Sequence, residues 1–311
     1  MTGMALRTVI LALAWFACVN AFFSLFAVVL VRQVRLRPAL HRPGILVAIR
    51  LLPASVSIVF VAAMFVPVHW VSEPRDAVET FGVAWFALAA IGAALLLRSV
   101  LRWIAIARAS RLMTVGMHRR VNSVDPYEVD GLPGVSLAGI VNPRILIGRG
   151  VRSQLSQAEL DVAIAHEVAH REAFDNLARW AMLCAPDFLS GSAVAARLEH
   201  EWHVAAESRA DARATAGDQA SAVHLASALI KVARLSASST HRAVPSWSTL
   251  NDSELLEWRV QRLLAGDHCE NLSFPRLGSL GATLAVSVLI AALIFGEPIH
   301  RLTEALVAVL P

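Results

Sequence analysis

The sequence predicts a membrane protein that is mainly α-helical with a small β-sheet. We expect three transmembrane helices, then a cytoplasmic α+β domain, then a fourth transmembrane helix. Long apolar runs lie towards both ends of the chain, and arginines follow several of them. The mean hydropathy is +0.57, and charged residues make up only 17% of the chain. Soluble domains average about 25% charged residues, so this composition favours a membrane protein.

Four apolar runs are long enough, or nearly so, for the ~20 residues that cross a bilayer. The first, Val9–Val31, is longer than the apolar region of a signal peptide and has no small-residue cleavage site, so we expect it to be retained. Arg50, at the start of the second run, is expected to snorkel to the interface. The first predicted domain is a membrane domain at 1–104, with helices at about 9–31, 47–67 and 81–101. A cytoplasmic domain at 105–275 follows it. The last part, 276–311, contains the fourth transmembrane helix (Leu277–Phe295) and a short extracytoplasmic tail.

The charges of the loops predict the orientation. The loop at residues 32–44 carries arginines and no acidic residue, whereas the loop at 67–80 carries Glu73, Asp76 and Glu79 against Arg75 alone. Because cytoplasmic loops are enriched in arginine and lysine, both termini are predicted to lie outside and the central domain in the cytoplasm. Three widely spaced cysteines without metal or disulfide spacing suit a reducing compartment.

Two other classes of function fit the composition poorly. The net charge is +4, but no dense basic run is interleaved with aromatic residues, so we expect no direct contact with nucleic acid. A transporter would carry charged residues inside its spans, and only Arg50, at the edge of a run, is charged.

One stretch, His166-Glu167-x-x-His170, carries a recognisable chemical pattern. On a helix, His166 and His170 project from the same face because they are four residues apart, so both imidazoles can bind one metal ion. Glu167 lies about 100° further round the helix and can act as a general base on a water molecule.

Local signals predict the helices around this motif. Ser156 and Glu159 form a capping box, which predicts a helix from Gln157 to about Glu172. Asp175-Asn176 is expected to cap the next helix, from Leu177 to about Leu189.

A catalytic zinc ion usually has three protein ligands and one open position. We expect Glu207 to be the third ligand, on a polar helix at about 192–216. Asp211 then lies one turn further on and can accept the other ring N–H of a ligand histidine, which fixes the tautomer of that ring and raises its basicity. The same helix offers competitors, among which the histidines are the main ones: Glu199, His200, Glu201 and His203.

Residues 135–150 predict two short strands, Val135–Ile140 and Arg144–Ile147, around an Asn-Pro turn. Such a strand could hold an extended substrate by backbone pairing, or it could merely cover the core. The candidate substrate contacts are Ile140, Asn142 and Arg144. A peptidase also needs a hydrogen-bond donor for the oxyanion that forms during hydrolysis. The candidate donors are Arg259 and His224, and His241 and His268 are also possible. The only tyrosine, Tyr127, precedes the motif.

These motifs resemble the BlaR/MecR-type membrane zinc metallopeptidases, which are of gluzincin type. The resemblance rests on His166-Glu167-x-x-His170 followed by Glu207-x-x-x-Asp211, with three spans before this segment and one after it. Other similar segments are Asn142-Pro143-Arg144-Ile145, Leu155-Ser156, Glu159-Leu160, Asp175-Asn176 and Glu257-x-Arg259-Val260-x-Arg262-Leu263. The C-terminal penicillin-binding domain of the beta-lactam sensors is missing, which argues against direct antibiotic sensing.

The resemblance implies a zincin-like metalloprotease domain that binds one Zn²⁺ per chain through His166, His170 and Glu207, with Glu167 as the base. It implies a multi-pass protein of the bacterial cell (inner) membrane that hydrolyses peptide bonds of a cytoplasmic protein. That substrate would be a BlaI-type winged-helix repressor, which gives the chain an antirepressor role in signal transduction. A homo-oligomer is also compatible with the sequence.

Two alternatives stay open. HtpX-like quality-control peptidases of membrane proteins share the motif and the membrane anchoring, but they place two spans on each side of the site. A non-catalytic zinc-binding membrane regulator would be expected to lack a ligand or the base, and this sequence retains all of them.

Overall fold

The computed structural model describes residues 2–35, 42–72, 81–118, 126–130, 132, 134–238, 252–266 and 297–309. Helices dominate these residues, and a three-stranded sheet accompanies them. The predicted combination of mainly helical structure with a small sheet is thus confirmed. The predicted fourth span, Leu277–Phe295, lies outside the described residues.

Three helices in the described part of the chain are long and apolar enough to cross a membrane, as the sequence predicts. They are α1, Thr2–Arg35; α2, Pro43–Ser72; and α3, Val83–His118. Within α2, a π-helical turn at Phe60–Phe65 joins two α-helical parts, Pro43–Val59 and Val66–Ser72. Because α3 continues to His118, it extends beyond the predicted domain boundary at residue 104.

The first and third spans pack closely against each other. A Cβ atom on Gly92 of α3 would lie only 2.2 Å from the carbonyl oxygen of Leu13 on α1. A residue without a side chain is therefore required at this crossing, as is common where helix backbones approach each other in membranes.

The sheet has the strand order β1-β3-β2, with β1 at Tyr127–Val129, β2 at Val135–Ala138 and β3 at Arg144–Gly148. Strands β2 and β3 correspond to the two predicted strands and pair antiparallel, whereas β1 pairs parallel to β3 and was not predicted. Three residues are too few to show the alternation that identifies a strand. Because β2 is an edge strand, one row of its backbone groups faces away from β3.

Seven helices complete the described part of the chain. Five are α4, Arg149–Gln154; α5, Gln157–Glu172; α6, Asp175–Cys184; α7, Ala193–Thr215; and α8, Gln219–Ser238. The last two are α9, Asp252–Ala265, and α10 at residues 297–309. The structure confirms the predicted helices that carry His166 and Glu207.

The start and end of α6 differ from the prediction. The helix ends at Cys184 rather than Leu189, and its N-cap is Phe174, in the left-handed conformation with φ 56°, rather than Asp175 or Asn176. Only two residues separate α5 from α6, and the left-handed φ angle of Phe174 belongs to this short connection. Both predicted capping side chains are thereby available for other contacts.

The segment between α6 and α7, residues 185–192, is called the docking loop because it lies against the three spans. Arg50 of α2 is only 1% exposed, and its Nη1 lies 2.7 Å from Oδ2 of the fully buried Asp187. The same guanidinium contacts Glu199 at 3.1 Å and donates to the Met182 carbonyl and the Ser190 hydroxyl. The prediction that Arg50 snorkels is wrong, because these acceptors meet its side chain inside the protein.

The other two spans also bind the docking loop. On α1, the Asn20 side chain donates to the Pro186 carbonyl at 2.9 Å and accepts the Phe188 N–H at 3.1 Å. On α3, three side chains donate to main-chain carbonyls of α6 and the docking loop: Arg98, Ser99 and Arg102. All three spans therefore fix the connection between α6 and α7.

The spans and the helices beyond them share an apolar core. It combines Ala27, Val31, Leu46 and Ile49 of the spans with Met182, Leu189, Ala195, Leu198 and Trp202. At the other end of the spans, α10 packs against Leu11, Phe65 and Trp85, and the Trp15 indole donates to Thr303 at 3.2 Å. The short tail predicted after the fourth span, at residues 296–311, thus contains a packed helix.

Replacing Arg50 by leucine should lower the midpoint of thermal unfolding, by an amount corresponding to about 3–5 kcal/mol, because Asp187 would stay buried without its cation. The measurement is a melting curve of the detergent-purified protein. Arg197→Leu is the control, since Arg197 forms an exposed pair with Glu201 whose loss should change stability by less than about 1 kcal/mol. Equal midpoints for the two variants would contradict the role given to Arg50.

Candidate metal centre

Helix α5 begins at the predicted capping box. The Ser156 hydroxyl accepts the Glu159 N–H at 3.3 Å, and the Glu159 carboxylate accepts the Ser156 N–H at 2.7 Å. Lys231 and Ser227 of α8 donate to the same carboxylate, at 2.7 and 2.5 Å. Burial opposes ionisation, but these donors outweigh it and lower the pKa of Glu159 to about 2. The charged carboxylate therefore fixes the start of α5 against α8.

The two histidines of α5 and Glu207 of α7 converge on one point. The Nε2 atoms of His166 and His170 lie 3.1 Å apart. One Glu207 carboxylate oxygen lies 3.4 Å from the Nε2 of His166, and the other lies 3.4 Å from the Nε2 of His170. The side chain of His166 is 9% exposed, and those of His170 and Glu207 are each 13% exposed. The structure thus brings together the three residues predicted as metal ligands.

This group of three residues could hold a metal ion. Zinc bound tetrahedrally to nitrogen and oxygen at about 2.0–2.2 Å separates neighbouring ligand atoms by about 3.3–3.6 Å. The two ring nitrogens lie 3.1 Å apart, and each lies 3.4 Å from a different oxygen of Glu207, so the three side chains face one space of about this size. Two imidazoles and one carboxylate are also the donor set of one common kind of catalytic zinc site.

The other polar residues of α7 have different surroundings. Glu199 contacts Arg50, Glu201 contacts Arg197, and His200 is exposed. His203 lies closer, with its Nδ1 3.8 Å from Oε1 of Glu207. Among the described residues, none of these competitors belongs to the group that could hold a metal ion.

Asp175 orients His170. Its Oδ2 lies 2.7 Å from Nδ1 of His170, which leaves the Nε2 of that ring for a metal ion. Arg209 of α7 donates to both oxygens of the same carboxylate at 2.6 Å. Sequence reasoning assigned Asp175 to a helix cap and missed this role. The available signal was its position as the first acidic residue after the end of the motif helix.

Asp211 and Arg259 lie beside His166 and Glu207. Oδ1 of Asp211 lies 3.0 Å from Nδ1 of His166, the partner predicted for it, although the ring N–H is not aligned for a hydrogen bond. Arg259 of α9 binds Asp211 through Nε at 2.9 Å and Nη2 at 2.6 Å, and Glu207 through Nη1 at 2.7 Å. One planar guanidinium therefore holds the carboxylates of both Asp211 and Glu207, a geometry that lysine cannot reproduce.

The surrounding carboxylates favour positive charge at this site. Burial lowers the pKa of His170, but Asp175 and Glu207 outweigh it and raise the pKa to about 10. Burial likewise opposes protonation of His166, and Asp211 and Glu207 nevertheless raise its pKa. Burial also opposes ionisation of Glu207, yet Arg259 and the histidines hold its pKa well below its usual range. A divalent cation would compete with protons for the two ring nitrogens.

Glu167 lines the same cavity as the three candidate ligands, a space of about 350 Å³. Burial raises the pKa of Glu167, and the neighbouring histidines offset part of that shift. A carboxylate whose pKa is raised is a stronger base, as is needed to accept a proton and later return it. The position and environment of Glu167 therefore suit the base predicted from the motif.

Strand β2 forms one wall of this cavity, through Val135, Ser136 and Leu137. The structure thus places a strand beside the metal helix, as predicted, but Ile140, Asn142 and Arg144 are not among the residues that line the cavity. These three belong to the hairpin turn and the start of β3, where Arg144 donates to the exposed Tyr127 hydroxyl at 3.1 Å. The sequence could not show which part of the hairpin faces the site.

The candidate oxyanion donors are placed differently from one another. Arg259 lines the cavity, but Glu207 and Asp211 engage its guanidinium, so its contacts are those of a positioning residue. His224 is not among the lining residues, and His241 and His268 lie outside the described residues. Another part of the lining carries Arg179, Trp202 and His203.

No protein-family model, no curated protein and no solved structure matches this chain.

The purified protein should bind one zinc ion per chain, and His166→Ala should lose it. Elemental analysis after dialysis measures the metal, and His200→Ala is the control because His200 is exposed on the same helix as Glu207. Because the pKa of His170 is raised to about 10, zinc must displace a proton at neutral pH. The apparent affinity should therefore rise by about tenfold per pH unit between pH 6 and 8 for the His170 proton, and more steeply where His166 is also protonated. A pH-independent affinity would contradict this assignment of ligands.

Asp175→Asn should weaken zinc binding by about 10- to 100-fold, since the amide cannot fix the His170 ring as the carboxylate does. Competition with a fluorescent chelator measures the dissociation constant. Asp161→Asn, on the exposed face of α5, is the control and should leave the dissociation constant unchanged. If both variants bind zinc like the wild type, Asp175 does not support the ligand.

Proposed function

We propose that this chain is a membrane-embedded, zinc-dependent endopeptidase that hydrolyses peptide bonds of a cytoplasmic protein. The observation that carries the proposal is the convergence of His166, His170 and Glu207 in a cavity that also contains Glu167. Structural zinc sites are closed by four protein ligands, whereas catalytic sites keep one position open. A three-ligand group on an open cavity supports the catalytic alternative.

The proposed roles follow from the contacts of each side chain. Zinc, when bound to His166, His170 and Glu207, supplies a Lewis acid that polarises the scissile carbonyl. Glu167 takes the proton of the attacking water and returns it to the leaving amine. Asp175 orients the His170 ring, and Arg259 holds Glu207 in place and ionised.

The free edge of β2 supports binding of an extended peptide. The Gly148 N–H donates to the Gly134 carbonyl at 2.9 Å, which shows that the backbone of Gly134 faces β3. Because backbone groups alternate in direction along an antiparallel strand, those of Val135 and Leu137 face away from β3, and both residues line the cavity. A substrate strand can pair with these outward groups by strand addition.

Asn176 limits the length of this edge. Its side-chain amide donates to the carbonyls of Leu137 and Gly139, at 3.2 and 2.7 Å, and so occupies the far end of the outward row. The N–H and carbonyl of Val135 and the N–H of Leu137 are the groups proposed to bind the substrate backbone.

The cavity walls indicate which side chains a substrate can present near the scissile bond. Helix α8 contributes an apolar wall that suits an aliphatic or aromatic side chain. Arg179 lies elsewhere in the lining. The residues of the apolar wall are Leu225, Ala228, Leu229 and Val232.

The location and the substrate are proposed on separate grounds. Three apolar helices support a multi-pass membrane protein, and the arginine-rich loops favour a cytoplasmic site in the bacterial inner membrane. The resemblance to BlaR/MecR-type peptidases supports a winged-helix repressor as substrate and an antirepressor role in signal transduction.

Glu167→Gln should retain zinc and lower kcat by about 10²- to 10⁴-fold, because the amide cannot accept a proton. The assay incubates zinc-loaded protein in detergent with a library of unstructured peptides and identifies new termini by mass spectrometry. Glu172→Gln is the matched control, since Glu172 is exposed at the end of the same helix. Cleavage by Glu167→Gln at the wild-type rate would contradict the mechanism. A zinc-loaded wild type that cuts no peptide would reject the peptidase in favour of a zinc-binding regulator.

A further inference from the structure

Peptide hydrolysis in this cavity requires a second donor for the negative charge that develops on the carbonyl oxygen. The two residues predicted for this role have other surroundings. Arg259 makes its short contacts with Asp211 and Glu207, and His224 is not part of the cavity lining. The donor should therefore be another polar side chain of the lining.

We propose that His203 is this donor, an inference that rests on the proposed peptidase function. His203 lies on α7 one turn before Glu207, so both side chains project from the same face of the helix. Its Nδ1 lies 3.8 Å from Oε1 of Glu207, and its ring lines the same cavity. A carbonyl oxygen that lies against the ligand group is thereby within reach of the His203 ring.

The surroundings of His203 suit a hydrogen-bond donor rather than a fourth ligand. Its side chain is 25% exposed, so a peptide in the cavity would displace the remaining water around it. Hydrogen bonds to a developing charge are stronger in such a water-poor site. Among the described residues, the group that could hold a metal contains His166, His170 and Glu207 but not His203.

The proposed step makes no covalent bond to His203. The ring keeps its N–H proton and donates it as a hydrogen bond while the water oxygen adds to the carbonyl carbon. When the tetrahedral intermediate collapses, the C–N bond breaks and the amine receives the proton held by Glu167. The oxygen that accepts the hydrogen bond from His203 is then uncharged again, as part of a carboxyl group. The contribution of His203 is therefore confined to the charged stage of the reaction.

His203→Ala should lower kcat by about 10²- to 10³-fold with little change in KM, as expected for loss of one oxyanion donor. Zinc content should remain at the wild-type level. His200→Ala is the matched control, because His200 is exposed on the same helix three residues earlier. His203→Gln keeps an N–H donor and should recover part of the lost rate.

A binding measurement independent of turnover distinguishes this role from a structural one. A phosphonamidate peptide imitates the charged tetrahedral stage, whereas a peptide with a non-cleavable ketomethylene link imitates the uncharged substrate. Calorimetry should show that His203→Ala weakens the phosphonamidate by the same factor as kcat/KM and leaves the affinity for the uncharged peptide nearly unchanged.

Three results would overturn the inference. They are an unchanged kcat in His203→Ala, an equal loss of affinity for both peptides, and loss of zinc from the variant. A wild-type protein that holds zinc but cleaves no peptide would reject the peptidase function itself. An active wild type with an equally active His203→Ala would reject only the role of His203.

Discussion

The buried ion pair between Arg50 and Asp187 is the interaction on which the placement of the three candidate metal ligands depends. Arg50 belongs to the second span, and Asp187 lies in the loop between α6 and α7. Helix α6 brings Asp175 to His170, and helix α7 brings Glu207 to both histidines. Fixing this loop therefore fixes two sides of the site relative to the spans. Removing two charges from water is costly, and the further acceptors around Arg50 offset that cost.

Arginines also form ion pairs with carboxylates close to the three candidate metal ligands. Arg209 binds Asp175, and Arg259 binds Asp211 and Glu207. In each case a guanidinium from one helix holds carboxylates that face the histidines of α5. Because its donors lie in a fixed plane, arginine constrains the direction of a carboxylate as well as its charge. The carboxylates that contact the imidazoles are thus held in a fixed direction by arginines from neighbouring helices.

Local patterns predicted the parts of this protein that depend on local physics. The capping box at Ser156 predicted the start of α5, and helical spacing predicted that His166 and His170 share one face. The choice of Glu207 rested on the number of ligands that a catalytic zinc ion needs and on the Asp211 that follows, and the structure brings it to both histidines. The contacts of Arg50 and Asp175 depend on how distant segments meet, so composition and spacing could not predict them. The direction of the β2 edge was equally inaccessible, because it depends on the pairing with β3. The short strand β1 lacked enough residues to show a pattern.

Under the proposed peptidase function, the position of Asn176 has a consequence for the choice of substrate. By occupying the carbonyls of Leu137 and Gly139, its amide leaves room for only a short stretch of partner backbone on β2. So short a pairing can recognise little sequence, but it does require a segment free of its own secondary structure. Selectivity would then depend mainly on local chain flexibility. A folded target would be cut in a hinge or an interdomain linker, and any event that loosens such a linker would expose the protein to cleavage.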